Sequence, residues 1–277
     1  SIRRQRQMCI RDRYTAAYNA DDPKIKLKID HTYRVAALCE RIAKAAGMCA
    51  YDVELAWLSG MLHDVGRFEQ IKRYNTFSDA DSVDHAKFGA DLLFKDGLIS
   101  TFLNGMVKCT GYKPGALEDR YSSDGVFLYD RLNKSDMEML ELAIRCHNMY
   151  RIPQGLNCRE QAFCNVLRDA DKVDIFKVNI DTPLEEIYNT TTEELMKSDI
   201  TDEVLEAFDE EHCILKAIRR TPADTVIGHV SLAYELVYDE SVRITVEQGY
   251  LAKLMHFHSD NEETNRKMEM VREKMDS

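Results

Sequence analysis

The sequence predicts an all-α protein, and three observations carry that reading. Apolar residues recur at intervals of three and four through much of the chain, and no stretch alternates apolar and polar residues as a half-buried strand does. Helix starts are also written locally. Ser135 and Glu138 stand in capping-box spacing, Thr191-Thr192-Glu193-Glu194 reads as a helix start, and Thr221-Pro222 sets a cap before a first-turn proline.

Taken in order, residues 1–20 place Arg3, Arg4, Arg6, Arg11 and Arg13 among Ile10, Tyr14, Ala17 and Tyr18, which predicts an amphipathic helix with a basic face. Such a face is either solvated or in contact with phosphate. Asp21-Asp22-Pro23 is expected to break that pattern. Lys24, Lys26 and Lys28 then lead into a helix expected from His31 to about Ala46, with Asp30 as its cap and His31, Val35, Leu38 and Ile42 on one face. The apolar run Val53 to Met61 predicts the next helix, which leads into Leu62-His63-Asp64-Val65-Gly66-Arg67, where Gly66 is expected to supply the helix-ending turn.

A further helical pattern opens at His85 and continues through Phe88, Gly89, Leu92 and Leu93 to near Gly97. Asp79, Asp81 and Asp84 precede it and read as a solvated loop and dipole-favoured start, with a supporting role for Asp84 as the alternative. Residues 98–134 are turn-rich, with Thr110-Gly111-Tyr112-Lys113-Pro114-Gly115 and Ser122-Ser123-Asp124-Gly125, and are expected to be an inserted loop or lid. Helical spacing resumes: Leu140, Ile144 and His147 share one stripe, and Leu167, Asp171 and Ile175 another. Val226, His229, Val230, Ala233 and Val237 form an apolar face after Thr221-Pro222, and the charged tail after Phe257 is expected to fray. The expected organisation is a single domain. It comprises an N-terminal basic helix (1–23), a core (24–180) carrying the segment 98–134, and a helical extension (181–277).

The 277 residues suffice to bury a sizeable core. No apolar run approaches membrane-spanning length and no basic-then-apolar leader opens the sequence, so a cytoplasmic protein with no membrane partner is expected. Eight cysteines are scattered without a C-x-x-C pair, which argues against a zinc knuckle or a disulfide framework and fits reduced thiols. Cys146 is read as a small core residue. A net charge of −11 excludes long-range attraction to duplex nucleic acid. A phosphorylated substrate must then be held by local cations or by metal.

The chemistry gathers at five segments: Asp30-His31, His63-Asp64, Asp84-His85, Cys146-His147-Asn148 and Arg168-Asp169-Ala170-Asp171-Lys172. Imidazole and carboxylate are ligands for borderline and hard cations. Standing alone, His63-Asp64 is equally a helix end with a satisfied histidine. Histidines and a carboxylate placed repeatedly on apolar stripes are costly to bury unless something compensates them, and a metal compensates all of them at once.

This order of residues resembles the HD superfamily of metal-dependent phosphohydrolases, from about residue 24 to 178, and so implies an HD-domain helical bundle. The resemblance implies His31, His63, Asp64 and Asp171 as metal ligands. His85 and His147 stand where the branch holding two ions places its further histidines, with Asp64 as the bridge. Such a set would take one or two divalent ions, suiting Mn, Fe, Co or Ni, with Mg or Zn also possible. The implied reaction is attack of metal-activated hydroxide on a phosphomonoester or phosphodiester of a nucleotide or other small phosphorylated metabolite. Asp64 is then catalytic. Arg67, in place of the lysine that several branches carry after His-Asp-x-Gly, is the first candidate cation for catalysis and substrate binding, and Lys172 the second, although it is expected to face away from Asp171. A salt bridge to Glu69 is the alternative role for Arg67. Arg219, Arg220 and His229 are candidate substrate contacts, with surface solvation the alternative for the arginines and a core position for His229. Gly111-Tyr112-Lys113 departs from the Gly-Tyr-Pro signature of cyclic-dinucleotide phosphodiesterases in both sequence and position. Two other functions share the ligand pattern: a di-iron oxygenase, and a non-catalytic nucleotide or metal sensor. The sequence sets neither the substrate nor the oligomeric state.

Overall fold

The computed structural model describes residues 17–19, 21–103, 132–183 and 190–276. The arginines from Arg3 to Arg13, Gly111-Tyr112-Lys113 and most of the expected lid at 98–134 lie outside the described residues. Among the described residues there are helices and connections and no strand, as the periodicity predicts. None of these helices is long and apolar enough to cross a membrane. The chain divides into two compact units, Ser1–Ala170 and Asp171–Ser277.

In the first unit, α1 (Pro23–Ala45) begins well before His31. The Asp22 side chain accepts from the Lys24 amide at 2.8 Å and Pro23 takes the first helical position, so the triplet expected to break a helix opens one. Asp30 is therefore an exposed interior residue and not a cap. The expected stripe holds, with His31, Val35, Leu38 and Ile42 all buried.

Helix α2 (Ala50–Leu62) buries nearly its whole circumference from Leu55 onward, the mark of a central helix. Burial of Leu55, Leu58 and Leu62 contributes about 1.5–3 kcal/mol each, which makes α2 the anchor for the costlier polar residues that follow it. His63 closes α2 and Asp64 opens α3 (Val65–Tyr74).

Gly66 ends no helix. It lies in the first turn of α3, where α4 (His85–Ala90) comes so close that a Cβ on Gly66 would sit 2.1 Å from the His85 carbonyl oxygen and 2.8 Å from the Gly89 nitrogen. Only glycine allows that approach, and the approach sets His85 beside the His63-Asp64 pair. Gly66→Ala should therefore cost more than about 3 kcal/mol, read as a fall in the denaturant midpoint. A loss below about 1 kcal/mol would show that α3 and α4 can separate freely.

Helix α4 runs on into a π-helical turn, Asp91–Lys95, and Gly97 follows with φ 77°, matching the expected end near Gly97. Residues 98–103 are helical. Helix α5 (Lys134–Cys146) is capped by Asn133 and Asp136, which exchange side-chain-to-backbone hydrogen bonds of 3.0 and 3.2 Å. Ser135 and Glu138, the expected capping pair, lie inside the helix. Helix α6 (Cys158–Asp181) begins in this unit, where Arg159 pairs with Asp52 at 2.7 Å and Asp136 at 2.8 Å.

The second unit contains the end of α6, then α7 (Thr192–Lys197), α8 (Asp202–Asp209), α9 (Pro222–Val230), α10 (Asp239–Gln248), α11 (Tyr250–Met255) and α12 (Glu262–Asp276). Thr191 caps α7 with Glu194, and Thr221 caps α9 with Asp224, both where the sequence places them. Phe176, Leu195, Phe208, Ile227 and Leu254 belong to its core. Helix α9 ends at Val230 and a 3-10 turn follows, Ser231–Glu235, so Val237 lies outside the helix and is exposed. The charged tail is also ordered into the fold: α12 carries Met268 and Val271 into this core, on a face its many charged residues disguise.

Candidate metal centre

Asp64 stands at the junction of α2 and α3, and four imidazoles converge on it. His31 comes from α1, His63 from the end of α2, His85 from the start of α4 and His147 from the end of α5. All five side chains are buried. His31 Nε2 and His63 Nε2 each lie 3.6 Å from Asp64 Oδ2. His85 Nε2 and His147 Nε2 lie 3.5 and 3.8 Å from Oδ1. One carboxylate thus presents each oxygen to its own pair of histidines.

The tautomers follow from what the other ring nitrogens meet. His63 Nδ1 is 2.8 Å from the Gly60 carbonyl and His147 Nδ1 is 2.7 Å from the Ile144 carbonyl. A carbonyl can only accept, so both Nδ1 atoms donate, which in a neutral ring leaves the Nε2 lone pair for a ligand. His85 Nδ1 likewise donates to Asp79 Oδ2 at 2.7 Å. Burial, with Arg67 adding to it and Asp79 opposing it, pushes the His85 pKa down to about 3, so its ring is neutral at physiological pH.

The Nε2 atoms also face one another, at 3.3 Å for His31 and His63 and 3.0 Å for His85 and His147. Lone pairs held nitrogen to nitrogen beside a buried carboxylate have their best common partner in a cation, so the donor set fits a metal. Ligand atoms of His31, His63 and Asp64 lie within 4.8 Å of one another, as do those of Asp64, His85 and His147. A third cluster of the same kind joins Asp79, Asp84 and His85.

Two cations attend Asp64. Lys28, one turn before His31 on α1, donates from Nζ to Asp64 Oδ2 at 2.8 Å. Arg67 Nε lies 3.9 Å from Oδ1. Burial would raise the Asp64 pKa, but the Lys28 ammonium at 2.8 Å outweighs it and holds the carboxyl well below the usual carboxylate range.

Arg67 pairs with Asp79 and Asp64, and not with Glu69, which receives Arg73 at 2.9 Å and the Tyr18 hydroxyl at 2.8 Å. Its NH1 donates to Asp79 Oδ1 and Gln70 Oε1, both at 2.8 Å, and to the Phe77 carbonyl. Asp79 also accepts from Gln70 Nε2 at 3.0 Å and Asn148 Nδ2 at 3.4 Å. Burial opposes its ionisation, yet His85 and Arg67 hold its carboxyl far below the usual range. Asp84 is first a helix cap, accepting from the Ala86 and Lys87 amides, and Asn148 Nδ2 reaches it at 3.0 Å. Arg168 donates to the carbonyls of Cys146 and Met149, which fixes the end of α5 and with it His147. Cys146 is buried, as a core residue should be.

Asp171 is partly exposed and lies on α6 one turn beyond Arg168, as the first residue of the second unit. Lys172, the second candidate cation, is buried and donates to the Glu235 carbonyl at 2.9 Å. Arg219 lies along Gly228 and donates to the Ile214 carbonyl, and Arg220 pairs with Glu203 at 3.0 Å. His229 is partly buried on α9, where burial and the nearby Arg219 and Lys216 push its pKa down to about 3. These four residues have structural surroundings inside the second unit.

Lys28, Asp79 and Asn148 escaped the sequence reading. Lys28 carried a signal, since it lies three residues before His31 and so on the same helix face. Asn148 directly follows a candidate ligand. Asp79 carried none beyond its acidic cluster, because the loop that brings it to His85 has no periodicity.

The family model of the HD domain matches residues 29–176, a span that includes all five candidate segments. No curated protein and no solved structure matches the chain.

Proposed function

Given that the chain belongs to the HD domain family, we propose that it is a metal-dependent phosphohydrolase acting on a phosphomonoester or phosphodiester of a nucleotide or other small phosphorylated metabolite. The observation that supports this best is the bridging position of Asp64, with one histidine pair at each carboxylate oxygen. In this reading the family resemblance adds Asp171 as a further ligand. Two divalent ions against two carboxylates would leave roughly +2 of charge, which favours an anionic substrate in a chain whose net charge is −11. Ions held there would supply a Lewis-acid clamp for phosphoryl oxygens and a water of lowered pKa.

The chain's own part is to fix the donors. Asp64 aligns both pairs, the Gly60 and Ile144 carbonyls orient His63 and His147, and Asp79 keeps the proton of His85 on Nδ1. Arg67 holds Asp79 in place.

The test is phosphate release from a panel of nucleotides and phosphomonoesters with Mn2+ or Fe2+, run with and without oxygen. Release that persists anaerobically, stops with chelator and returns with metal is expected. Turnover that needs oxygen would point instead to the oxygenase, and nucleotide binding without turnover to the sensor. Asp79→Asn should weaken the His85 and His147 ion by about 10- to 100-fold and leave the first ion in place. Metal titration followed calorimetrically reads this; equal affinities in parent and variant would contradict the role of Asp79.

A further inference from the structure

We infer that Lys28 is the residue that binds the phosphoryl group of the substrate, at the His31 and His63 side of the centre. The inference deepens the phosphohydrolase reading and rests on it for the choice of anion. An ammonium has three donors. One of them goes to Asp64 Oδ2 at 2.8 Å. The other two meet no acceptor among the described residues and can serve a ligand.

The position suits that use. The Lys28 side chain is 18% exposed while the Asp64 side chain is 3% exposed, so Lys28 is the more solvent-accessible member of the pair. It lies 5.4 Å from the ring centroid of Phe77, a half-buried aromatic that also receives Arg67, at 5.9 Å. Phe77 thus limits the sideways swing of both cations.

Arg67, the cation suggested by sequence, is less free to serve. Its NH1 is divided among Asp79, Gln70 and the Phe77 carbonyl, while its Nε lies 3.9 Å from Asp64 Oδ1 without a hydrogen bond. Moving that guanidinium to a substrate would strip Asp79, and through it His85, of support. Lys28 can turn its remaining donors outward without releasing any histidine. Its flexible stem and compact charge suit an anion that must enter and leave. A divalent ion held by Asp64 would compete with Lys28 for the carboxylate and would leave more of the ammonium for an anion.

The experiment compares the full-length parent, Lys28→Met and Lys28→Arg, each loaded with Mn2+, by metal analysis and by calorimetric titration with inorganic phosphate. Lys28→Met is expected to keep the parental metal content and to bind phosphate at least about tenfold more weakly, with Lys28→Arg recovering most of the loss. Where the parent turns over a substrate, KM should rise in Lys28→Met by more than kcat falls. Parental phosphate affinity in Lys28→Met would overturn the inference, as would loss of metal in that variant, which would make Lys28 a support for Asp64 alone. A parent that binds phosphate but hydrolyses no phosphate ester would sink the phosphohydrolase reading and leave the affinity ratio to decide on Lys28. A parent that binds no phosphate would sink both.

Discussion

Asp64→Ala is expected to abolish metal binding and turnover together. Asp64 meets both histidine pairs, His31 and His63 at Oδ2 and His85 and His147 at Oδ1. Its removal takes an oxygen from every ion the centre could hold, and leaves the four imidazoles without the carboxylate they share. The loss should exceed the about 10- to 100-fold that follows from removing an outer partner of a ligand. Lys28 also loses its acceptor, so circular dichroism and the denaturation midpoint belong beside the metal assay. Asp64→Asn, of nearly the same shape, should lose metal as well. A folded variant that retained metal and phosphate release would contradict the assignment.

His85→Ala is expected to remove one ion of two. His31, His63 and Asp64 keep their mutual contacts, because His85 meets Asp64 at Oδ1 while His31 and His63 meet it at Oδ2. The metal content should fall from about two equivalents to about one, with phosphate release much reduced, since two ions roughly 3.5–4 Å apart act as one clamp. An unchanged content would mean that the centre holds a single ion and would give His85 a different role. Loss of all metal would show that the two halves do not bind independently. Asp79 and Arg67 remain paired at 2.8 Å in this variant, so the loop around Phe77 should keep its conformation.

Much of the fold was legible because helices are written in short-range chemistry. The stripe His31, Val35, Leu38, Ile42 needs only the 3.6 period, and the caps at Thr191 and Thr221 need only three residues of sequence. Boundaries were less legible where two signals compete. Asp22-Pro23 can end one segment or start another, and the start prevailed because the Asp22 side chain satisfies the Lys24 amide. Asn133 outdid Ser135 because Asp136 reciprocates its hydrogen bond. Gly66 was read by its usual role at a helix end, whereas its reason is a contact with the backbone of α4, which no local pattern encodes. The candidate ligands could be read from their order and types. Their support could not, since Asp79 reaches His85 from an irregular loop, and Arg67 chooses Asp79 over the nearer-in-sequence Glu69 only in three dimensions.

The most direct measurement is the metal content of the protein purified without chelator, by elemental analysis, with phosphate release assayed on the same sample. The convergence of four histidines on Asp64 predicts about two equivalents of transition metal and metal-dependent release. A folded protein that neither carries nor takes up metal would contradict the central claim.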